Sequence, residues 1–209
     1  MKFLIVLAFL ACAHPGRLRA ETYSWGRVEI ATVSFDGPVN NATADAFMEA
    51  LTAIASTGQP FIPIEITSPG GEVFALQRML GAMDRLKVPT VTICTAYCHS
   101  AGALLWLNGT YRFIEPSASI MIHDISSGTE GKVTEMEHGV ATMRQMNTML
   151  YRRAAIHIGK AANFFVTMLE KTRGKEIWFY SHEALTKGLA QWIGMPTYTG
   201  EAFVGFEKP

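Results

Sequence analysis

The chain has 209 residues, a length that suits one domain of ordinary size. Its 18 basic residues equal its 18 acidic ones, which argues against a nucleic-acid reader built on a basic surface. A hydrophobic share of 49% excludes intrinsic disorder and predicts a sizeable core, and three cysteines are too few for a disulfide scaffold.

The N-terminus reads apart from the rest. Met1-Lys2 precedes Phe3 to Ala13, which carry no charge, and His14-Pro15-Gly16-Arg17-Leu18-Arg19-Ala20 follows. A short basic start, a brief apolar run and a small-residue exit describe a secretory signal peptide, cleaved after Ala13 or Ala20. The domain proper is then 21–209, and an exported, periplasmic or secreted location is expected. The alternative is a cytoplasmic chain with a cleaved propeptide. Loss of residues 1–20 removes Lys2, Arg17 and Arg19 and no acid, so 18 against 18 becomes 15 against 18, a net charge of −3. The apolar run is too short for a membrane span, which needs about 20 residues, and no other stretch approaches that length.

Val28 to Phe35 is β-branched and ends at Asp36-Gly37-Pro38, a strand and its turn. Asn41 to Asp45 offers caps for a helix reaching Ser56, with Phe47, Leu51 and Ile54 at helical spacing. Ile62, Ile64 and Ile66 alternate on a strand, Ser68-Pro69-Gly70-Gly71 makes a tight loop, and Val73, Leu76, Leu80 and Met83 mark the next helix. Val91 to Thr95 reads as a short buried strand and Ser100 to Leu107 as a buried helix. Tyr111 to Ile114 and Ser119 to His123 are two further strands. This alternation predicts an α/β fold with a largely parallel sheet.

Beyond the polar loop Ser126 to Lys132, Val133, Met136, Val140, Met143, Asn147, Leu150, Ala154 and His157 keep three-four spacing. A helix this long with so narrow a seam is expected to project and pack on another helix, often from a second subunit. Helix continues to Lys171, and Phe179 to Leu189 reads as a short closing helix and turn.

Three distant pieces carry chemistry. Gly70 and Gly71, between a strand and a helix, let backbone N–H groups face outward, where they can hold an anion or an oxyanion. The same dipeptide also makes an ordinary turn. Ser100, in Cys98-His99-Ser100-Ala101-Gly102, stands at a strand-to-helix junction, as either an exposed nucleophile or a helix N-cap. His123 ends a strand, where catalytic groups gather in α/β sheets but where structural histidines also occur. Cys94 and Cys98 read as buried free thiols; a disulfide between them, or a metal site completed by His99, is the weaker alternative.

Thr67-Ser68-Pro69-Gly70-Gly71, Thr92-Ile93-Cys94 leading into Ser100-Ala101-Gly102-Ala103-Leu104-Leu105, and Ile120-Met121-Ile122-His123, in that order, resemble the ClpP family of proteolytic subunits, within the wider ClpP/crotonase fold. The likeness runs from about Val28 to Leu189. It implies a spiral of ββα units with a long protruding handle helix from Val133, and a ring-forming serine endopeptidase without metal or organic cofactor. Ser100 would be the nucleophile, His123 the general base, and the N–H groups of Gly71 and Ala101 the oxyanion hole. The family's aspartate falls on Glu176 of Lys175-Glu176-Ile177-Trp178, ahead of Glu183-Ala184 and Gly188-Leu189, one methylene longer than the family's acid. The loop Ser126 to Gly131 matches the segment along which a peptide adds as a strand. Expected substrates are peptides or unfolded proteins. An exported chain would be parted from an ATP-dependent unfoldase, so that partner stays open. A ring scaffold or binding module with an impaired site, and a crotonase-like acyl-CoA enzyme, are the competing readings.

Overall fold

The structure is a computed structural model that describes residues 18–25, 28–126, 130–173 and 175–198, with side chains from residue 30 onward. Most of the presumed signal segment and part of the 126–131 loop therefore lie outside the described residues. The first strand, β1 (Leu18–Trp25), pairs antiparallel with β2 (Val28–Asp36), from Leu18↔Phe35 to Trp25↔Val28. Cleavage after Ala13 would leave β1 whole, whereas cleavage after Ala20 would remove its first three residues.

From β2 onward the chain alternates. The helix α1 (Asn41–Ala55) starts on Asn40, whose side chain accepts from the Thr43 N–H while Thr43 Oγ1 accepts from the Asn40 N–H. This reciprocal cap satisfies two donors that the first turn otherwise leaves unpaired. The strand β3 (Ile62–Ser68) leads into α2 (Val73–Asp84), and β4 (Thr90–His99) into α3 (Ala101–Leu107). The short β5 (Tyr111–Ile114) and β6 (Ser119–Ile122) follow. The long α4 (Val133–His157) and α5 (Phe164–Thr172) precede β7 (Ile177–Tyr180), α6 (Ser181–Thr186) and β8 (Trp192–Ile193). Strands β2, β3, β4, β5 and β8 lie side by side and parallel. Ile62, Ile64 and Ile66, on one face of β3, are fully buried.

β4 runs ten residues, longer than the span Val91 to Thr95 expected from its apolar core. The reason is that it pairs with two strands in succession along its length. Its first half pairs with β5; its second half, Tyr97 to His99, pairs with β6, which carries β7 antiparallel. Between the halves the register on β3 slips: Ile66 faces Cys94 and Ser68 faces Cys98, so two steps along β3 take up four along β4. The compression steers the strand end toward Ser100. α6 falls within the Phe179 to Leu189 span read as a closing helix and turn, but β7 runs into its start and β8 lies beyond it, both too short for a periodic signal.

α4 has the boundaries that its spacing predicts, about 37 Å of helix at the usual rise. Its two halves differ. Leu150, Tyr151, Ala154 and Ala155 are buried against the domain, while Val133 is 72% exposed and Met136 and Val140 40% each. The N-terminal half of the seam faces solvent in the single chain. Arg153 pins the other half, donating to both carboxylate oxygens of Asp84 at 2.7 Å. Among the described residues no helix is long and apolar enough to cross a membrane.

Cys94 and Cys98 are free and fully buried. The Cys98 thiol, in contact with the carbonyl of Ile66 at 3.4 Å, is pushed well above the ordinary thiol range by burial and by the neighbouring Cys94 thiol. Both cysteines should resist an aromatic disulfide reagent in the folded protein and react together on denaturation; rapid labelling of either in the native state would contradict this packing.

Candidate functional site

Ser100 sits on the turn where β4 becomes α3, with φ 54° and ψ −120°. For a residue with a Cβ this backbone is strained by about 1–3 kcal/mol, and it persists only where the surroundings enforce it. Here they do. The Ser100 N–H donates to the Met121 carbonyl of β6 at 2.7 Å, and the Ser100 carbonyl accepts from Ala103 at 3.0 Å, which opens the helix. Ser100 occupies the N-cap position, yet its Oγ makes no cap bond. The hydroxyl turns outward and lies 2.8 Å from Nε2 of His123. Of the two sequence readings, nucleophile position or capping serine, the capping bond is not made.

The glycine loop packs against this turn. Gly70 and Gly71 have φ of 92° and 148°. A Cβ on Gly70 would come within 2.7 Å of both the His99 carbonyl and Ser100 Cβ, and one on Gly71 would strike the Val39 carbonyl. Gly102, on the far side of the serine, approaches Ser68 as closely: a Cβ there would lie 2.8 Å from the Ser68 Cβ. The two loops touch through two positions, Gly70 and Gly102, where only hydrogen fits, and Gly71 is as tightly placed against Val39. Val39 also orients the peptide planes. Its N–H donates to the Gly70 carbonyl and its carbonyl accepts from Glu72, both at 2.8 Å. In such a parallel bridge the intervening residue, Gly71, aims its own N–H to the opposite side, away from Val39. Ala101, first in α3, has its N–H among those that no helical carbonyl satisfies.

His123 follows β6. Its carbonyl accepts from the Tyr151 hydroxyl at 2.7 Å, and α4 holds the next residues through Asn147, which accepts from the Ile125 N–H and donates to Asp124. Burial pushes the Tyr151 phenol up, so it stays a donor at any physiological pH. Neither residue stood out as part of a site in the sequence. Asn147 gave one signal, a polar side chain in an apolar stripe; Tyr151 gave none. A small cavity of about 50 Å³ opens at the centre, lined by Gly71, Ser100, Ala101, His123 and Tyr151 among others. A larger one, about 650 Å³, adjoins it between α4 and α5 and shares Ile125 and Ser126.

Glu176 precedes β7. The β6–β7 register ends at Ile122↔Ile177, so the next pair outward sets Glu176 opposite His123. Its carboxylate, however, accepts from the Trp178 indole N–H at 3.1 Å. His99 stands nearby, its Nε2 3.0 Å from Ser119 Oγ; burial lowers its pKa and the Glu176 charge partly opposes that. The cysteines face the core while His99 packs its ring on the exposed Trp178, so Cys94, Cys98 and His99 do not converge as metal ligands.

A strained serine on a strand-to-helix turn, a histidine on its hydroxyl and two outward N–H groups thus lie together at the ends of β3, β4 and β6. Comparison with known proteins gives the family. A sequence profile described as Clp protease matches residues 22–196. The ATP-dependent Clp protease proteolytic subunit 1 of Salinibacter ruber is 28% identical over 160 residues, covering 75% of this chain and 66% of that protein. The ATP-dependent Clp protease proteolytic subunit of Porphyromonas gingivalis is 30% identical over 130 residues, covering 61% of this chain and 57% of that protein. The chain thus spans about two thirds or less of the length of these curated relatives. It belongs to the Clp protease family, and its mixed α/β fold with a parallel sheet is consistent with a ClpP-type fold.

The strain at Ser100 is testable without any activity. Ser100→Gly should be more stable than Ser100→Ala by about 1 kcal/mol, read from urea midpoints, because both lack the hydroxyl and only one keeps a Cβ at φ 54°. Equal midpoints would show an unstrained turn.

Proposed function

We propose that the protein is a serine endopeptidase that hydrolyses peptides or unfolded proteins. The observation that carries this reading is the Ser100 hydroxyl 2.8 Å from His123 Nε2, on a turn that the packing holds out of a cap. Ser100 Oγ attacks the scissile carbonyl carbon while Nε2 of His123 takes the hydroxyl proton. The carbonyl oxygen becomes an oxyanion, received by the outward N–H groups of Gly71 and Ala101. The imidazolium returns its proton to the leaving amine. Water, deprotonated by the same histidine, then attacks the acyl ester and frees Ser100. Glu176, opposite His123 in the register, is the acid assigned to orient the imidazole and balance its charge. No step calls for a metal or an organic cofactor.

The exposed apolar half of α4 supports self-association into rings that face one another. The export signal read over residues 1–20 would part the chain from cytosolic unfoldases, which favours peptides and already unfolded chains as substrates. A second reading has one observation in its favour: the Glu176 carboxylate rests on Trp178. If His123 lacks its acid, the site is impaired and the assembly serves as a scaffold.

A fluorophosphonate probe separates these readings. Wild type should be labelled, and Ser100→Ala and His123→Ala should not. Glu176→Gln should lower kcat on a peptide by about 10²- to 10⁴-fold, the scale of a lost triad acid. An assembled, folded wild-type protein that takes no label would favour the scaffold. Gel filtration should give an oligomer, and Val140→Glu should shift it toward the single chain; an active wild-type monomer would remove the assembly from the proposal.

A further inference from the structure

The glutamate at the acid position is attended by groups that the reaction scheme does not use. Three strands meet here, and their registers set side chains in rows. Tyr97, Ser119 and Tyr180 form one row across β4, β6 and β7; His99, Met121 and Trp178 form the next. Two pairs further, in the next row of that face, lie His123 and Glu176. The alternate positions Cys98, Ile120 and Phe179 are fully buried, so the rows lie on the open face. There the Trp178 ring packs edge-on against His99, centroids 4.8 Å apart and planes at 74°. His99 is held from below by Ser119 Oγ at 3.0 Å and flanked by Tyr97 at 5.2 Å. Trp178 is 41% exposed, yet its orientation is fixed by this stack, and its N–H meets Glu176 Oε2 at 3.1 Å.

We infer that Trp178 is a positioning residue: its indole N–H holds one oxygen of the Glu176 carboxylate so that the other is presented to His123. The inference rests on the triad reading above. Its physical need follows from length. A glutamate has one more rotatable bond than an aspartate, so its carboxylate sweeps a wider volume and spends less time at any one partner. A donor two residues on along the same strand face removes that freedom. The indole suits the task because it donates and never accepts, and so cannot compete for the imidazole N–H. Among the described residues no other hydrogen bond reaches Glu176. Of the charged groups near this strand end, Asp124 is engaged with Asn147, and the Glu176 charge acts on His99.

The test follows the His123 ring resonances by NMR at one fixed pH in protein labelled with ¹⁵N-histidine, in wild type, Trp178→Phe, Glu176→Gln and the double variant. Phenylalanine keeps the ring against His99 and removes only the donor. Both single variants should move the His123 ring ¹⁵N resonances in the same direction, Trp178→Phe by less. On the Glu176→Gln background the Trp178→Phe change should vanish. With a peptide substrate, Trp178→Phe should lower kcat about three- to tenfold with KM within about twofold, the range for one half-exposed hydrogen bond to a charge. Unmoved resonances in Trp178→Phe, or the same change with and without Glu176, overturn the inference. Resonances that move as expected in a protein that neither hydrolyses peptide nor takes the serine probe would sink the peptidase reading while leaving the clamp in place.

Discussion

The backbone at Ser100 is the constraint on which the rest depends. A residue with a Cβ is kept at positive φ between a strand and a helix, and four separate parts of the chain keep it there. β6 accepts its N–H through Met121, and α3 takes its carbonyl into the first turn. Gly70 closes on it directly, and Gly102 in the turn beyond it lets Ser68 of the same loop approach, where no larger residue fits. The slip of β4 on β3 delivers the strand end to this place at the required angle. The consequence is chemical: a serine at an N-cap position whose hydroxyl is free of the cap and meets a histidine.

That arrangement also explains why the long helix matters to the site and not only to assembly. α4 reaches the strand end through Tyr151 on the His123 carbonyl and Asn147 on the next two residues. Its buried half is therefore a buttress for His123, while the N-terminal half of its seam is exposed. If copies do meet there, assembly and the placement of His123 share one rigid element.

Most of the parallel sheet was legible in the sequence because each strand is an apolar run bounded by glycine, proline or polar turns, and α1, α2 and α4 keep their helical spacing. Ser100, His123 and the glycine pair were legible as candidates since each stands at a strand end. What escaped has a common cause. β1, β7 and β8 are edge strands of weak apolar pattern, and the second half of β4 alternates so little that its Tyr97 and His99 look like loop. Tyr151 and Trp178 act through single hydrogen bonds to groups 28 residues away and two residues away; neither spacing is periodic, so no pattern announces them.

The central claim is that Ser100, His123 and the N–H groups of Gly71 and Ala101 form one site around a tetrahedral centre. A crystal structure of the protein treated with a peptide boronate addresses it most directly. The account predicts boron bonded to Ser100 Oγ, one boronate oxygen within hydrogen-bond reach of both N–H groups, and His123 against another. A boronate bound elsewhere, or bonded to Ser100 with its oxygen turned away from Gly71 and Ala101, would contradict it.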